Sequence, residues 1–278
     1  MWLLGRRPCE WVQKRHSRES GNPCCTDVGS LPERQLLVAD LGTLSFAAAL
    51  EVQRSAARAR ISGAIDQDLL ILVEHPPVVT LGRSSKAHHL LASPELLASR
   101  GVELFEVERG GDVTFHGPGQ LVGYPIVDLK RHKQDLHWYL RQMEEALIRA
   151  LVPLGVLAER NAGRTGVWTQ GRKLASIGVH ARDWVTWHGF ALNVTTDLSF
   201  FELMVPCGIA DVQMTSIGHE LAAGPDRLRT LGSDTRERVA QAFADVFQLA
   251  PRRADAEWLA RDPTTAAALG AHLLAEQS

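Results

Sequence analysis

The chain is short of cysteine where a disulfide framework would need it. Of its four cysteines, Cys9, Cys24 and Cys25 fall in the first 25 residues, leaving Cys207 alone in the body of a 278-residue chain. One thiol cannot staple a domain, so the pattern implies a reducing compartment, the cytoplasm, where Cys207 stays a free thiol. An excess of one charge is missing too: 30 Lys and Arg against 32 Asp and Glu leave a formal −2, without the basic surplus of a dedicated nucleic-acid binder. No apolar run nears the roughly 18 to 20 residues that cross a bilayer. Neither nucleic acid nor membrane is therefore expected as a partner. The eleven histidines and the one core cysteine show no metal-ligand spacing, so no metal is expected. What is present, 45% hydrophobic and 22% charged residues, suits a globular chain with one sizeable core or two modest ones, and excludes disordered, collagen-like and coiled-coil classes.

Residues 1–33 carry no period of 2 or 3.6. Their four opening apolar residues, Met1 to Leu4, fall short of the roughly 7 to 15 that a signal peptide needs. The stretch reads as a disordered N-terminal extension, an appendage or a mis-assigned start of translation, with a basic targeting arm as its functional rival. Regular structure begins near Leu36. Thr43 or Ser45 caps a helix whose apolar and alanine positions keep helical spacing to a stop at Gly63. The apolar run 68–74 reads as a strand buried on both faces and ended by His75-Pro76-Pro77, and 78–81 as another. Ser93-Pro94 opens a short helix, and Val102 to Val107 alternates as a half-buried strand. Leu121 to Leu129 reads as strand, and Asp135 caps an amphipathic helix stopped by Pro153 and Gly155. Three strand candidates follow over 165–169, 173–181 and 189–194, with turns at Gln170-Gly171 and Asp183, before a helix over 234–249. Interleaved helices with a hairpin-rich middle predict an α+β fold, a mixed, largely antiparallel sheet with packed helices. The expected division is an extension over 1–33, a catalytic domain over 34–250, and a tail over 251–278 that is a loosely docked helix or disordered.

Three segments carry candidate chemistry. In Arg109-Gly110-Gly111-Asp112-Val113-Thr114-Phe115-His116-Gly117-Pro118-Gly119-Gln120, glycines bare the backbone for close approach of a ligand. The same composition also suits a plain connection between strands. It is no P-loop, since no Gly-Lys-Ser/Thr ends it, and Val122 stands where the dinucleotide fingerprint wants its third glycine. Its crowd of polar groups (Arg109, Asp112, Thr114 and His116) favours a site. In 171–180, Lys173 opens a strand that then turns apolar, so its ammonium can face a cleft with its stem on the sheet, although such a lysine is ordinarily a solvated hairpin end. In Val205-Pro206-Cys207-Gly208-Ile209, a thiol that would ordinarily be a small buried hydrophobe is flanked by Pro and Gly, which suits access better than packing.

The string RGGDVTFHGPGQLVGYP, the GRKLASIGVH and HGFALNV strands and the PCGI loop, preceded by EHPPVVTLGR, together resemble the lipoyl(octanoyl) transferase family, whose fold is like the catalytic domain of the biotin and lipoate protein ligases. The resemblance spans roughly Leu36 to Leu249. It implies transfer of an octanoyl group from octanoyl-acyl carrier protein, through an acyl-thioester on Cys207, to a lysine on lipoyl domains of 2-oxoacid dehydrogenase complexes and on the glycine cleavage H protein, the first step of endogenous lipoate synthesis. Lys173 matches the residue that lowers the thiol pKa; in neutral form it would also take the incoming lysine's proton. Arg109 to His116 match the first acyl-substrate segment, Ser176, Ile177 and Gly178 the second, and Gly189, Phe190 and Ala191 the third. Phe115 departs from the tyrosine of many relatives but keeps the ring. No cofactor is implied: thioester exchange is nearly isoenergetic and aminolysis runs downhill, so ATP is not needed. Two alternatives stay open on the residues: an ATP-dependent lipoate or biotin protein ligase, with the Gly-rich loop around an acyl-adenylate, and a non-catalytic acyl-binding protein.

Overall fold

Ser45 starts the first helix by accepting a hydrogen bond from the Ala48 N–H at 3.3 Å through its side-chain oxygen, a cap worth about 1 kcal/mol. The helix, α1 (Phe46–Ser62), ends where Gly63 turns left-handed. The computed structural model describes residues 34–205 and 212–254. The extension expected over 1–33, Cys207 with its immediate neighbours, and the tail from 255 onward lie outside the described residues.

Eight strands form the main sheet: β1 (Gln35–Thr43), β2 (Asp68–Glu74), β6 (Gln120–Ile126), β7 (Glu159–Asn161), β8 (Arg164–Thr169), β9 (Arg172–Arg182), β10 (Val185–Asn193) and β11 (Ala250–Arg253). They run in the order β11-β1-β2-β6-β10-β9-β8-β7. Only the β11-β1-β2 edge is parallel; the rest is antiparallel. A second sheet of β4 (Glu103–Glu106), β3 (Val78–Leu81) and β5 (Val113–His116), in that order, lies under α2 (Pro94–Ser99). The expected α+β fold with a mixed, largely antiparallel sheet is what the chain adopts.

Burial on both faces of β2 follows from its unbroken apolar run. Leu70 and Leu72 face the core formed with α3 (Leu136–Leu151) and α5 (Pro225–Phe247), while Leu69, Ile71 and Val73 face the core beneath α1. A third core, with Val79, Val113, Phe115 and Phe201, fills the small sheet. Two hairpins are tight because both central residues have positive φ, Gln170-Gly171 between β8 and β9 and Asp183-Trp184 between β9 and β10, as two-residue turns that follow the strand twist require.

Several boundaries move. The final helix begins at Pro225 rather than Asp234, with Gly224 as its N-cap and proline at the first position. Residues 113–116, expected as part of a glycine-rich loop, are strand, paired with β3 from Val78↔His116 to Leu81↔Val113. Glu103–Glu106 is largely exposed rather than half-buried, as the edge strand of a small sheet. The tail expected from 251 opens as strand, since Ala250–Arg253 extends the sheet beside β1.

Candidate active site

Close backbone approach builds the centre of the site. Gly178 on β9 pairs with Gly189 on β10, and the Arg109–Gly111 segment crosses over this pair. A Cβ at 178 would stand 2.6 Å from the Gly110 carbonyl oxygen, so only glycine lets the two chains meet. The Gly110 N–H donates to the Val179 carbonyl at 2.8 Å and fixes the crossing. Arg109 folds back on β3, its guanidinium donating to the Thr80 carbonyl at 2.7 Å and to the Thr80 hydroxyl at 2.9 Å.

Around this crossing lies a cavity of about 210 Å³. Arg109, Gly111, Asp112, Val113, Thr114 and His116 reach its wall from the first motif; Lys173, Ser176, Ile177 and Gly178 reach it from β9; Gly189, Phe190 and Ala191 reach it from β10. Three separate stretches of sequence, two of them from one hairpin, thus line one cavity. Two expected residues do not line the wall. Gly110 contributes its backbone bond to Val179, and Phe115 turns into the core of the small sheet, stacked 4.6 Å from Phe200. Strand alternation explains Phe115, because Thr114 and His116 occupy the other face of β5. The wall also contains residues not anticipated: Phe46, Val122, Tyr124, the turn 163–165 and His188. His188 stands next to the triplet taken from its own strand. Phe46 and Tyr124 come from α1 and β6 and carry no local signal.

Lys173 is 2% exposed, so it is no solvated hairpin end. Its ammonium sits 5.4 Å from the Trp168 ring centroid, a desolvated cation–π contact of about 2 kcal/mol. Gly166 on β8, at φ 131°, gives its aliphatic stem room: a Cβ there would stand 2.9 Å from Lys173 Cε.

Both limbs flanking Cys207 are tied to these motifs. On the entry side, the Val205 N–H donates to the His89 carbonyl at 2.7 Å, and the His89 ring pairs with Asp112 at 2.6 Å. On the exit side, Lys173 N–H donates to the Gln213 carbonyl at 2.8 Å and Thr215 N–H to the Lys173 carbonyl at 2.9 Å. The Thr215 carbonyl also accepts from the Asn193 amide, whose oxygen accepts from Gln120, and Gln120 in turn engages His116 at 2.9 Å. A buried polar chain thus runs from the glycine-rich segment to the limb that leaves Cys207.

The electrostatics favour uncharged rings beside the cavity. Burial, then the neighbouring His75 and Arg109, pushes His116 down to about 3, and burial lowers His75 to about 4. Burial pushes the Tyr124 phenol far up. Among the described residues no cluster of three or more His, Cys, Asp or Glu side chains could hold a metal ion, and no helix is long and apolar enough to cross a membrane.

Comparison with known proteins gives the arrangement a family. The model of the lipoyl protein ligase A/B catalytic domain matches residues 45–248. An octanoyltransferase of Acidobacterium capsulatum is 54% identical over 198 residues, covering 66% of this chain and 80% of that protein. An octanoyltransferase of Nostoc is 45% identical over 218 residues, covering 78% of this chain and 95% of that protein. In fold, the chain is like the bipartite lipoate protein ligase of Thermoplasma acidophilum, with TM-score 0.64 at 15% identity over 85% of this chain and 92% of that one. With two such relatives and a family model matched over most of its length, the chain belongs to the lipoyl(octanoyl) transferase family, within the group built on the lipoyl protein ligase A/B catalytic domain.

Proposed function

We propose that the chain takes an octanoyl group from octanoyl-acyl carrier protein onto the Cys207 sulfur and delivers it to a lysine of a lipoyl domain, in 2-oxoacid dehydrogenase complexes and in the glycine cleavage H protein. Membership of the family makes it an acyltransferase, with octanoyl transfer for lipoate synthesis as its activity. In the first step the Cys207 thiolate attacks the donor thioester carbonyl, a C–S bond forms, and the carrier's pantetheine sulfur leaves. In the second, the acceptor amine attacks the acyl-Cys207 carbonyl, C–N forms and C–S breaks, and the amine's proton departs while the thiolate is restored. Neither step needs ATP.

The observation that carries this reading is the tie between Lys173 and the limb leaving Cys207, at a cavity wall built from all three acyl-substrate motifs. An ammonium nearby favours the thiolate, bringing a pKa of roughly 8.5 toward 7 or below. The developing oxyanion calls for backbone N–H donors, and the glycine-rich segment, with no side chains at Gly110 and Gly111, would let it approach the main chain. Phe46, Val122, Ile177 and Phe190 offer apolar lining for the acyl chain, where each methylene transferred is worth about 0.8 kcal/mol. The reducing setting implied by a single core thiol suits the cytoplasm.

The test is incubation with octanoyl-acyl carrier protein and an apo-lipoyl domain in the absence of ATP. Octanoylation of the lipoyl domain is expected; modification only with ATP and free octanoate would replace transfer by ligase chemistry.

A further inference from the structure

The cavity has an open end and a closed end, and the sheet order places them. Of its wall, Gly163 and Arg164 are exposed, and they stand at the start of β8, the neighbour of β9 on the side away from β10. Lys173 belongs to this side: its ammonium and the Arg164 guanidinium both stand over the Trp168 ring, at 5.4 and 5.9 Å from the centroid. A carrier protein is too large to enter a space of about 210 Å³, so it presents its thioester at the opening and the hydrocarbon goes in methyl first.

Inward from the opening, one row of residues crosses three strands. Ser176 on β9 pairs with Ala191 on β10, and Ala191 pairs with Val122 on β6. Residues directly opposite in neighbouring strands share a face, and all three line the cavity. The pair beside this row, Gly178 opposite Gly189, carries no side chains. Small residues on β9 and β10 thus leave a trough that leads to Val122. The row covers two strand spacings, about 9.5 Å. An extended octanoyl group, whose bonds of about 1.5 Å each advance it by about 1.3 Å, spans about 9 Å from carbonyl to methyl carbon. A chain with its carbonyl over β9 therefore has its last carbon over β6.

Past Val122 the trough is shut by Phe46. The Leu44 N–H donates to the Glu74 carbonyl at 3.0 Å, which sets the start of α1 at the end of β2, where Val73 pairs with Val122. Phe46, two residues on, is 2% exposed and part of the cavity wall. Its ring is hemmed in by the rings of Phe105 at 5.2 Å, His75 at 5.5 Å and His116 at 6.1 Å, and Leu50, Val78 and Val107 share its core. His75 is itself clamped between the Leu44 carbonyl at 2.6 Å and the Tyr124 hydroxyl at 2.7 Å. With His75 at about 4 and His116 at about 3, both rings are uncharged at neutral pH and the end wall is neutral.

We propose that Phe46 is the specificity-determining residue for acyl-chain length, the wall against which the last carbon of an octanoyl group rests. The inference rests on the octanoyl-transfer reading above and deepens it at the methyl end of the substrate, away from the reacting atoms. A chain two carbons longer must displace a ring packed on three others, which costs overpacking; a chain two carbons shorter leaves the end unfilled and forgoes the burial of two methylenes.

The test is a competition. Equimolar hexanoyl-, octanoyl-, decanoyl- and dodecanoyl-acyl carrier protein are offered together with apo-lipoyl domain, and the acyl groups delivered are counted by the intact mass of the lipoyl domain. Wild type is expected to deliver octanoyl. In Phe46→Ala the vacated space admits more chain, so the octanoyl-to-decanoyl ratio should fall about tenfold or more. A purely structural role would slow delivery of every chain alike, and an unchanged ratio would overturn the proposal. Should Phe46→Ala fail to fold, Phe46→Leu decides: it loses the ring but keeps an apolar side chain, so the ratio should fall about threefold, and an unmoved ratio would overturn the proposal. Failure of wild type to deliver any acyl group removes the transfer reading together with this inference, whereas normal octanoyl delivery with unmoved ratios in the variants removes the inference alone.

Discussion

Lys173 donates its backbone N–H to the Gln213 carbonyl at 2.8 Å, so the strand that carries the buried ammonium is stitched to the limb that leaves Cys207. The bond forms one rung of a parallel bridge between Lys173 and Met214, and it gives two motifs distant in sequence a common support. A side chain 2% exposed, wedged between the Trp168 ring and the space left by Gly166, has little freedom to swing away from that support.

Lys173→Met should keep the fold, since methionine fills much of the volume that the aliphatic stem occupies, and weaken the thiolate. If the ammonium brings the Cys207 thiol from roughly 8.5 to about 7, alkylation by iodoacetamide at pH 7 should slow about tenfold in the variant. A rate-versus-pH curve identical to wild type would remove Lys173 from this role.

Gly178→Ala tests the chain crossing. A Cβ 2.6 Å from the Gly110 carbonyl must push the Arg109–Gly111 segment off β9, at a cost of about 1 to 3 kcal/mol in stability. Urea unfolding should show that loss, and the KM for octanoyl-acyl carrier protein should rise. Wild-type values for both would mean that the segment does not need glycine there.

The buried histidines set an acid limit. His75 at about 4 and His116 at about 3 lie below the ordinary 6.5, so the unfolded chain binds more protons than the folded one as pH falls below about 6.5. The stability gained by keeping these rings neutral is full above that value and is lost as pH drops toward 4 and 3. Unfolding free energy should fall by about 1.4 kcal/mol per pH unit for each histidine between roughly pH 6 and 4.5. In His116→Gln the slope should lose one histidine's share; an unchanged slope would mean that His116 is protonated in the fold.

Deletion of residues 1–33 is expected to leave melting temperature and transfer rate unchanged, as the family match over 45–248 begins well after it. A lower melting temperature would make the extension part of the folded unit.

Much of this fold was legible because its signals are local. Ser45, Ser93 and Asp135 cap their helices as their side-chain chemistry suggests, and the apolar run 68–74 is buried on both faces. What escaped depends on distant partners. β5 hides among glycines and becomes a strand only through pairing with β3, while β11 exists as strand only because β1 lies beside it. At the site, the polar and glycine clusters pointed to the segments that meet at the cavity. His188, Phe46 and Tyr124 did not announce themselves: a histidine in a left-handed kink and two aromatics from other elements acquire meaning only when the sheet brings them to one wall.

The most direct measurement is the intact mass of the protein after exposure to octanoyl-acyl carrier protein alone. Wild type should gain one octanoyl group, labile to hydroxylamine as a thioester is, and Cys207→Ala should gain none. An adduct of equal yield in Cys207→Ala, or lipoyl-domain octanoylation by that variant at the wild-type rate, would contradict a route through this sulfur.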